Sequence, residues 1–152
     1  MRFMMLVQDR LEMRGPKASK DSEAGVLPSK ELLAAMGQFN EEMAKAGVLL
    51  AGEGLHASSK GARITFSGSK RAVTDGPFAE TTELLAGFWM IEVKSKAEAI
   101  AWASRVPFAD GEVVEVRQVF EASDFPAEVF PPEDAAREQE LRDELQRKAA
   151  KR

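Results

Sequence analysis

The side chains best suited to chemistry are one histidine and a carboxylate beside a short Gly-Pro motif. His56 is the only histidine of the chain and closes the apolar segment 48–55. Asp75 begins the motif Asp-Gly-Pro-Phe, which precedes the apolar segment 84–91. Histidine titrates near neutral pH, and an adjacent carboxylate orients its ring and favours its protonated form. We therefore predict that His56 and Asp75 form a catalytic acid–base pair in a cleft.

Both residues also have a purely structural interpretation. In a tight turn Asp75 would bond the backbone N–H two residues on, Gly76 would take a positive φ, and Pro77 would fix the exit direction. Phe78 would then fill the core. A lone histidine can equally cap a strand in solvent, so His56 needs no catalytic role. The sequence leaves these alternatives open.

Three further residues are predicted to bind a ligand. Glu53 lies between two glycines, which let a ligand approach the backbone closely, although its carboxylate could instead face solvent. Glu80 follows the Asp-Gly-Pro-Phe motif. Met5 could line a hydrophobic pocket, with a place in the sheet core as the alternative.

No cofactor and no metal site are predicted. The chain has one histidine and no cysteine, which makes a metal site built from His56 with Glu53 or Asp75 weak. A phosphate-binding loop is absent from the sequence, and the pair Gly52-x-Gly54 lacks the third glycine of a dinucleotide-binding turn.

The periodicity predicts two helices that would position these residues. The first begins at the N-cap Ser29 and ends at Gly47. Ser95 and Glu98 form a capping box at the start of the second helix, which ends before Pro107. The first helix has an apolar stripe at spacings of four, three and four, typical of a helix with one buried face: Leu32, Met36, Phe39 and Met43.

Short apolar segments predict the strands of an α+β sheet. They lie at residues 2–7, 48–55, 62–67, 71–74, 87–93 and 113–120. Within 62–67, Ile64 and Phe66 are expected to point inward. The order predicts a β-α-β-β-α-β sandwich with an inserted hairpin and both helices on one face of the sheet. Because the other face is also apolar, we predict a homodimer that covers it.

The composition changes after residue 120. Residues 1–120 are predicted to form the α+β domain, and residues 121–152 a proline-containing linker and a charged helix. The helix either extends into solvent or contacts a protein partner through a thin apolar stripe. Three acid–base pairs four residues apart would stabilise it: Glu138–Arg142, Asp143–Arg147 and Glu144–Lys148.

Charge and hydropathy exclude several classes of function. The net charge of −4 at pH 7 argues against direct nucleic-acid binding, which needs a clustered basic surface. No run of 18 apolar residues and no signal-peptide core is present, so no membrane contact is predicted. We expect a cytoplasmic protein.

The segment TDGPFAETTELLAGFWMIEV, residues 74–93, follows GVLLAGEGLH and closely resembles the DGPF domain of the YCII-related proteins. The resemblance extends from Met1 to about Phe120. It implies a ferredoxin-like fold that dimerises into an α+β barrel, and either an enzyme or a companion of sigma factors. The broader relatives look like carriers of a His–Asp pair whose histidine lies early in the first helix. That helix has no histidine here, so the pair does not transfer directly.

Two functions are therefore predicted. The first is a dimeric protein that handles a small molecule in a cleft near the dimer seam, either as a binder or as an enzyme that uses acid–base chemistry. The alternative is a non-catalytic dimeric interaction or regulatory module, linked to sigma-factor-dependent transcription, that contacts another protein through its C-terminal helix.

Overall fold

The structure, a computed structural model, describes residues 1–10, 27–78 and 83–151, apart from the side chains of residues 9 and 10. The described chain forms two compact units, Met1–Val119 and Phe120–Arg152. No helix in these residues is long and apolar enough to cross a membrane.

The first unit alternates strands and helices in an α+β arrangement. Its described elements are β1 (Arg2–Arg10), α1 (Lys30–Lys45), β2 (Leu49–Gly54), β3 (Ala62–Ser67), β4 (Lys70–Asp75), β5 (Glu83–Glu92), α2 (Lys96–Ala103) and β6 (Val113–Gln118). This order confirms the predicted element order and the inserted hairpin. Strands β1 and β5 are both longer than the apolar periodicity indicated.

The main sheet has four antiparallel strands in the order β2-β5-β1-β6. This order is compatible with a ferredoxin-like α+β fold, in which the first and third strands occupy the centre. Strands β3 and β4 pair only with each other among the described strands and form a separate two-stranded hairpin. In the sequence the hairpin is therefore an insertion between the edge strand β2 and the central strand β5, which pair directly with each other.

Helix α1 begins and ends where its sequence predicts. The Ser29 hydroxyl accepts a hydrogen bond from the Leu32 amide at 3.1 Å. At the other end, Gly47 has a φ of +73°, and the Val48 amide donates to the Met43 carbonyl at 3.0 Å. This is a Schellman motif, in which glycine relieves the steric cost of the left-handed backbone. It turns the chain directly into β2.

Helix α2 has the predicted cap with a one-residue shift. The Ser95 hydroxyl accepts from the Glu98 amide at 3.1 Å. The Glu98 carboxylate accepts from the Lys94 amide at 2.9 Å, one residue before the position that a capping box would use. The two bonds satisfy the Glu98 amide in the first turn and the Lys94 amide just before the helix.

The hydrophobic core lies between the main sheet and the two helices. Trp89 packs edge-on against Phe39 of α1, with ring centroids 5.6 Å apart. The indole N–H of Trp89 donates to the Asn40 side-chain oxygen at 2.7 Å, so the buried ring keeps its polar group paired. Both helices contribute to one core, as predicted; its buried members are Phe3, Met5, Phe39, Met43, Val48, Trp89, Ile91, Val93 and Ala99.

The opposite side of the main sheet carries the alternate residues of the same strands, and we name it the helix-free face because α1 and α2 both pack on the other side. Leu6 pairs with Phe88, and Met4 pairs with Met90. All four side chains are partly exposed. The strand register continues the Leu6–Phe88 row to a carboxylate on each edge strand, Glu53 of β2 and Glu115 of β6. The helix-free face is thus apolar in the middle and acidic at two edges.

The hairpin formed by β3 and β4 contributes nothing to the core. Its large apolar side chains are exposed by 52% at Ile64, 70% at Phe66 and 67% at Val73. The prediction that Ile64 and Phe66 point inward is therefore wrong for the described chain. Alternation placed them on one face of a ribbon, but no other layer of the described structure covers that face.

The second unit consists of a short 3₁₀ turn and helix α3 (Pro132–Ala150). Two of the three predicted acid–base pairs form, Glu138–Arg142 at 2.7 Å and Glu144–Lys148 at 2.6 Å. The carboxylate of Asp143 instead accepts from the Gln139 amide at 2.8 Å, while Arg147 donates to the Asp143 carbonyl. The stripe residues Leu141 and Leu145 are exposed.

Candidate functional site

The Asp-Gly-Pro-Phe segment, residues 75–78, packs against the chain that follows β2. The Gly76 amide donates to the Gly61 carbonyl at 3.0 Å. The Phe78 amide donates to the Ser58 hydroxyl at 3.1 Å. These two hydrogen bonds close the base of the hairpin, and we name them the base contact. They hold the segment after His56 against the segment that begins with Asp75.

Glycine at position 76 is required by close approach and not by an unusual φ. A Cβ placed on Gly76 would lie 1.7 Å from the Ser58 carbonyl oxygen. The prediction of a positive φ at Gly76 is wrong, because the described glycines with positive φ are Gly47, Gly68 and Gly111. The missing side chain lets two backbone segments touch.

Asp75 does not brace its own turn as predicted. The residue two positions on is Pro77, which has no N–H to donate, and the Phe78 amide is taken by Ser58. The Asp75 side chain is exposed and has no hydrogen-bond or ion-pair partner within the described ranges. Its carboxylate is available to a ligand. The turn is held by Ser58 instead.

Phe78 lies under a cation and outside the core. The Arg63 guanidinium carbon is 3.9 Å from the centroid of the Phe78 ring, and the ring is only partly buried. The core cluster of the described residues does not include it, so the expectation of a core-filling Phe78 is wrong. The stacked pair ties β3 to the end of the motif.

His56 is exposed and stands two residues before Ser58. No hydrogen bond or ion pair involves its ring in the part of the chain that the structure describes. His56 and Asp75 thus flank the base contact, each at the start of one of its two segments, and no bond joins their side chains. The acid–base pair stays a prediction, with both groups facing solvent beside a common anchor.

The base contact lies in the YCII-related part of the chain. The YCII-related domain matches residues 1–123, which include every strand of the main sheet and the hairpin. The chain belongs to the YCII-related family. No curated protein matches it. The family resemblance drawn from residues 74–93 is thereby confirmed, while membership in the narrower DGPF group stays a prediction.

The other candidate residues of this YCII-related chain occupy different places. Glu53 is exposed on the edge strand β2, on the helix-free face beside Phe88, and has no partner among residues the structure describes. Met5 is fully buried between the sheet and the helices, the second of the two places that its sequence allowed. Glu80 lies outside the described residues. Within those residues no three His, Asp or Glu side chains converge as a metal site.

Two residues of the YCII-related site escaped the sequence reasoning. Ser58 supplies both the hydroxyl that binds the Phe78 amide and the carbonyl that excludes a side chain from Gly76. Gly61 supplies the carbonyl that accepts from Gly76. Both lie in a polar connection whose sequence indicates only a loop, so no pattern in the sequence pointed to either residue.

Proposed function

We propose that this protein is a homodimer that binds a small molecule in a cleft beside the base contact. The single observation that carries this is the pair of exposed groups, His56 and Asp75, at the ends of two segments held together by Ser58. A rigid backbone anchor with unpaired polar groups beside it is the arrangement that functional sites use.

The dimer would form by stacking the helix-free faces of two copies. Helices α1 and α2 cover the other side of the sheet, while Leu6 and Phe88 form a partly exposed apolar row on this side. Two sheets that stack in this way form the α+β barrel that the family resemblance implies. The clefts would then lie near the seam, where each hairpin leaves its sheet.

In this cleft His56 would act as the general acid–base group. Its ring would accept a proton from a bound substrate and return it to the product, while the Asp75 carboxylate would orient the ring and stabilise its protonated form. Glu53 would add a hydrogen-bond acceptor on the side of the helix-free face. This chemistry suits a small polar molecule.

The decisive measurement is a thermal-shift screen of metabolites, followed by a binding titration of any ligand found with the native chain and with Asp75→Asn. A ligand found in the screen should bind the variant at least about tenfold more weakly, which is about 1.4 kcal/mol.

The matched control is Glu92→Gln, which removes one carboxylate from the exposed far end of β5. It should leave ligand binding unchanged. If Asp75→Asn binds the ligand as tightly as the native chain does, Asp75 is not part of the site and the acid–base proposal is wrong.

A regulatory contact, including one to a sigma factor, is the second candidate function. The exposed Leu141 and Leu145, four residues apart on α3, favour it, because they form a short apolar strip on an otherwise charged helix. It differs from the first in two outcomes. The metabolite screen should find no ligand, and deletion of residues 121–152 should remove binding to purified sigma factor while the chain remains a dimer.

A further inference from the structure

The hairpin has one apolar face and one polar face. Ile64 pairs with Val73, and Phe66 pairs with Arg71, so all four lie on the same side of the ribbon. We name this side the apolar arm face. The opposite side pairs Arg63 with Thr74 and Thr65 with Ala72. Three adjacent large apolar side chains that are more than half exposed mark an interaction surface.

The hairpin is closed at its base and exposed along its length. The base contact joins Gly76 and Phe78 to the segment 58–61, and every residue of β3 and β4 is exposed. An isolated two-stranded ribbon is marginally stable in water at best. A ribbon with an exposed apolar face is best accounted for by a second surface that covers that face.

The hairpin is also strongly cationic. From residue 54 to residue 74 the chain contains no Asp or Glu and four cations, Lys60, Arg63, Lys70 and Arg71. The Arg71 guanidinium carbon lies 4.4 Å from the centroid of the Phe66 ring. The same side chain donates to the carbonyls of Gly68 and Lys70 at 3.0 and 2.9 Å. The cation is thus held over the apolar arm face near the hairpin turn.

A complementary surface is present on the same chain. The edge strand β2 carries an exposed, unpartnered carboxylate at Glu53 within the described residues, beside Phe88 and away from the sheet centre at Leu6 that the stacked faces would bury. An apolar ribbon with a cationic tip matches an apolar sheet edge with an unpaired acid. The net charge of −4 further favours a copy of the chain over a nucleic acid.

We propose that the hairpin is a dimer arm. Its apolar arm face packs against a second copy of this chain, with Arg71 facing the partner subunit's Glu53. The proposal rests on the homodimer proposed above and adds that each cleft is built by two chains. Asp75 stands at the base of the arm, so a contact at the tip also fixes the position of the site residue.

The test uses the absence of cysteine from the chain. A single cysteine in Val73→Cys, on the apolar arm face, is labelled with a benzophenone maleimide; Thr74→Cys, on the polar face, is the matched control. The benzophenone-labelled protein is prepared in two isotopic forms, one with natural nitrogen (light) and one with ¹⁵N (heavy), and the two forms are refolded together. The mixture is then irradiated, digested and analysed by mass spectrometry. Val73→Cys should give cross-links between light and heavy chains at peptides that contain β2, at least tenfold more than Thr74→Cys.

A charge-swap cycle provides the second measurement. Arg71→Glu should weaken dimerisation at least about tenfold, and Glu53→Arg in the same chain should restore most of the loss, because the two charges then attract again. The dissociation constant is measured by sedimentation equilibrium. A restored dimer in the double variant supports a direct pair between the arm and the second copy.

The possible outcomes distinguish the arm proposal from the homodimer proposal. A monomeric mass for the native chain at micromolar concentration would contradict both proposals. A dimeric mass with cross-links confined to one chain, or equally frequent from both faces of the hairpin, would contradict the arm proposal alone. Binding of a mixed-sequence oligonucleotide that Arg71→Glu abolishes, with the dimer unchanged, would assign the hairpin to nucleic acid and also overturn the arm.

Discussion

The main sheet and the hairpin use the same strand pattern with opposite results. Ile91 of β5 is fully buried, whereas Ile64 of β3 is 52% exposed. Both are β-branched residues within antiparallel strand pairs. The difference is the second layer, because α1 and α2 cover the Ile91 side of the main sheet and no described element covers the hairpin. The alternation of apolar and polar residues along a strand places the apolar side chains on one face. Whether that face is buried depends on a second layer of helices or strands that covers it.

The largest expected effect tests this contrast with one substitution at two positions. Ile91→Ala should lower the free energy of unfolding by about 2–5 kcal/mol, since it leaves a cavity in a packed core. Ile64→Ala should lower it by less than about 1 kcal/mol within the single chain. The measurement is urea unfolding, extrapolated to low protein concentration.

A dependence on protein concentration sharpens the comparison. If the arm packs on a second copy, the cost of Ile64→Ala should grow as the dimer is populated, while the cost of Ile91→Ala stays constant. Equal costs for the two substitutions at low concentration would show that the hairpin is buried within its own chain.

A smaller effect is expected at the polar link between helix and sheet. Asn40→Ala removes the acceptor of the buried Trp89 N–H and should cost about 1–3 kcal/mol, because a buried donor is then unsatisfied. Gln38→Ala is the control on the exposed side of the same helix. Within the described residues its side-chain amide contacts Glu42 alone, so its loss should cost less than about 0.5 kcal/mol.

The carboxylate in Asn40→Asp retains an acceptor for the indole N–H. This variant should recover part of the stability lost in Asn40→Ala, as measured by the same urea unfolding. If Asn40→Ala and Gln38→Ala lower the free energy of unfolding by the same amount, the hydrogen bond to Trp89 contributes little. The packing of the helices on the main sheet is then stabilised by apolar contacts alone.

The parts of the fold that were predictable are those with local causes. The caps at Ser29 and Ser95 and the glycine end at Gly47 each depend on residues within one helical turn. The stripe that ends in Met43 follows from helical period alone. The exposed state of Phe66 was not predictable in this way, because it depends on whether another layer reaches the hairpin.

The candidate site was predictable in its residue types and less so in its geometry. His56 and Asp75 stand out in the sequence as a lone histidine and a carboxylate in a turn motif. The role of Ser58 does not stand out, because it acts on Gly76 and Phe78 across the hairpin. Glycine is required at position 76 because two backbone segments approach closely there. Local turn rules had instead predicted a positive φ at this residue.

The smallest global effect is expected at the base contact. Gly76→Ala places a Cβ against the Ser58 carbonyl, so the two segments must separate. Because they anchor an exposed hairpin and not the core, the free energy of unfolding should fall by less than about 1 kcal/mol. Amide exchange in β3 and β4 should nevertheless accelerate at least tenfold, measured by hydrogen–deuterium exchange.

The control for this change is Gly54→Ala at the end of β2, where an added Cβ meets no atom within 4 Å. It should leave exchange in the hairpin unchanged, so a general effect of replacing glycine is excluded. A global loss for Gly76→Ala as large as that for Asn40→Ala would place the base contact inside the cooperative core. The hairpin would then be an integral part of the folded unit, and the contrast between the two sheets would no longer explain its exposed apolar face.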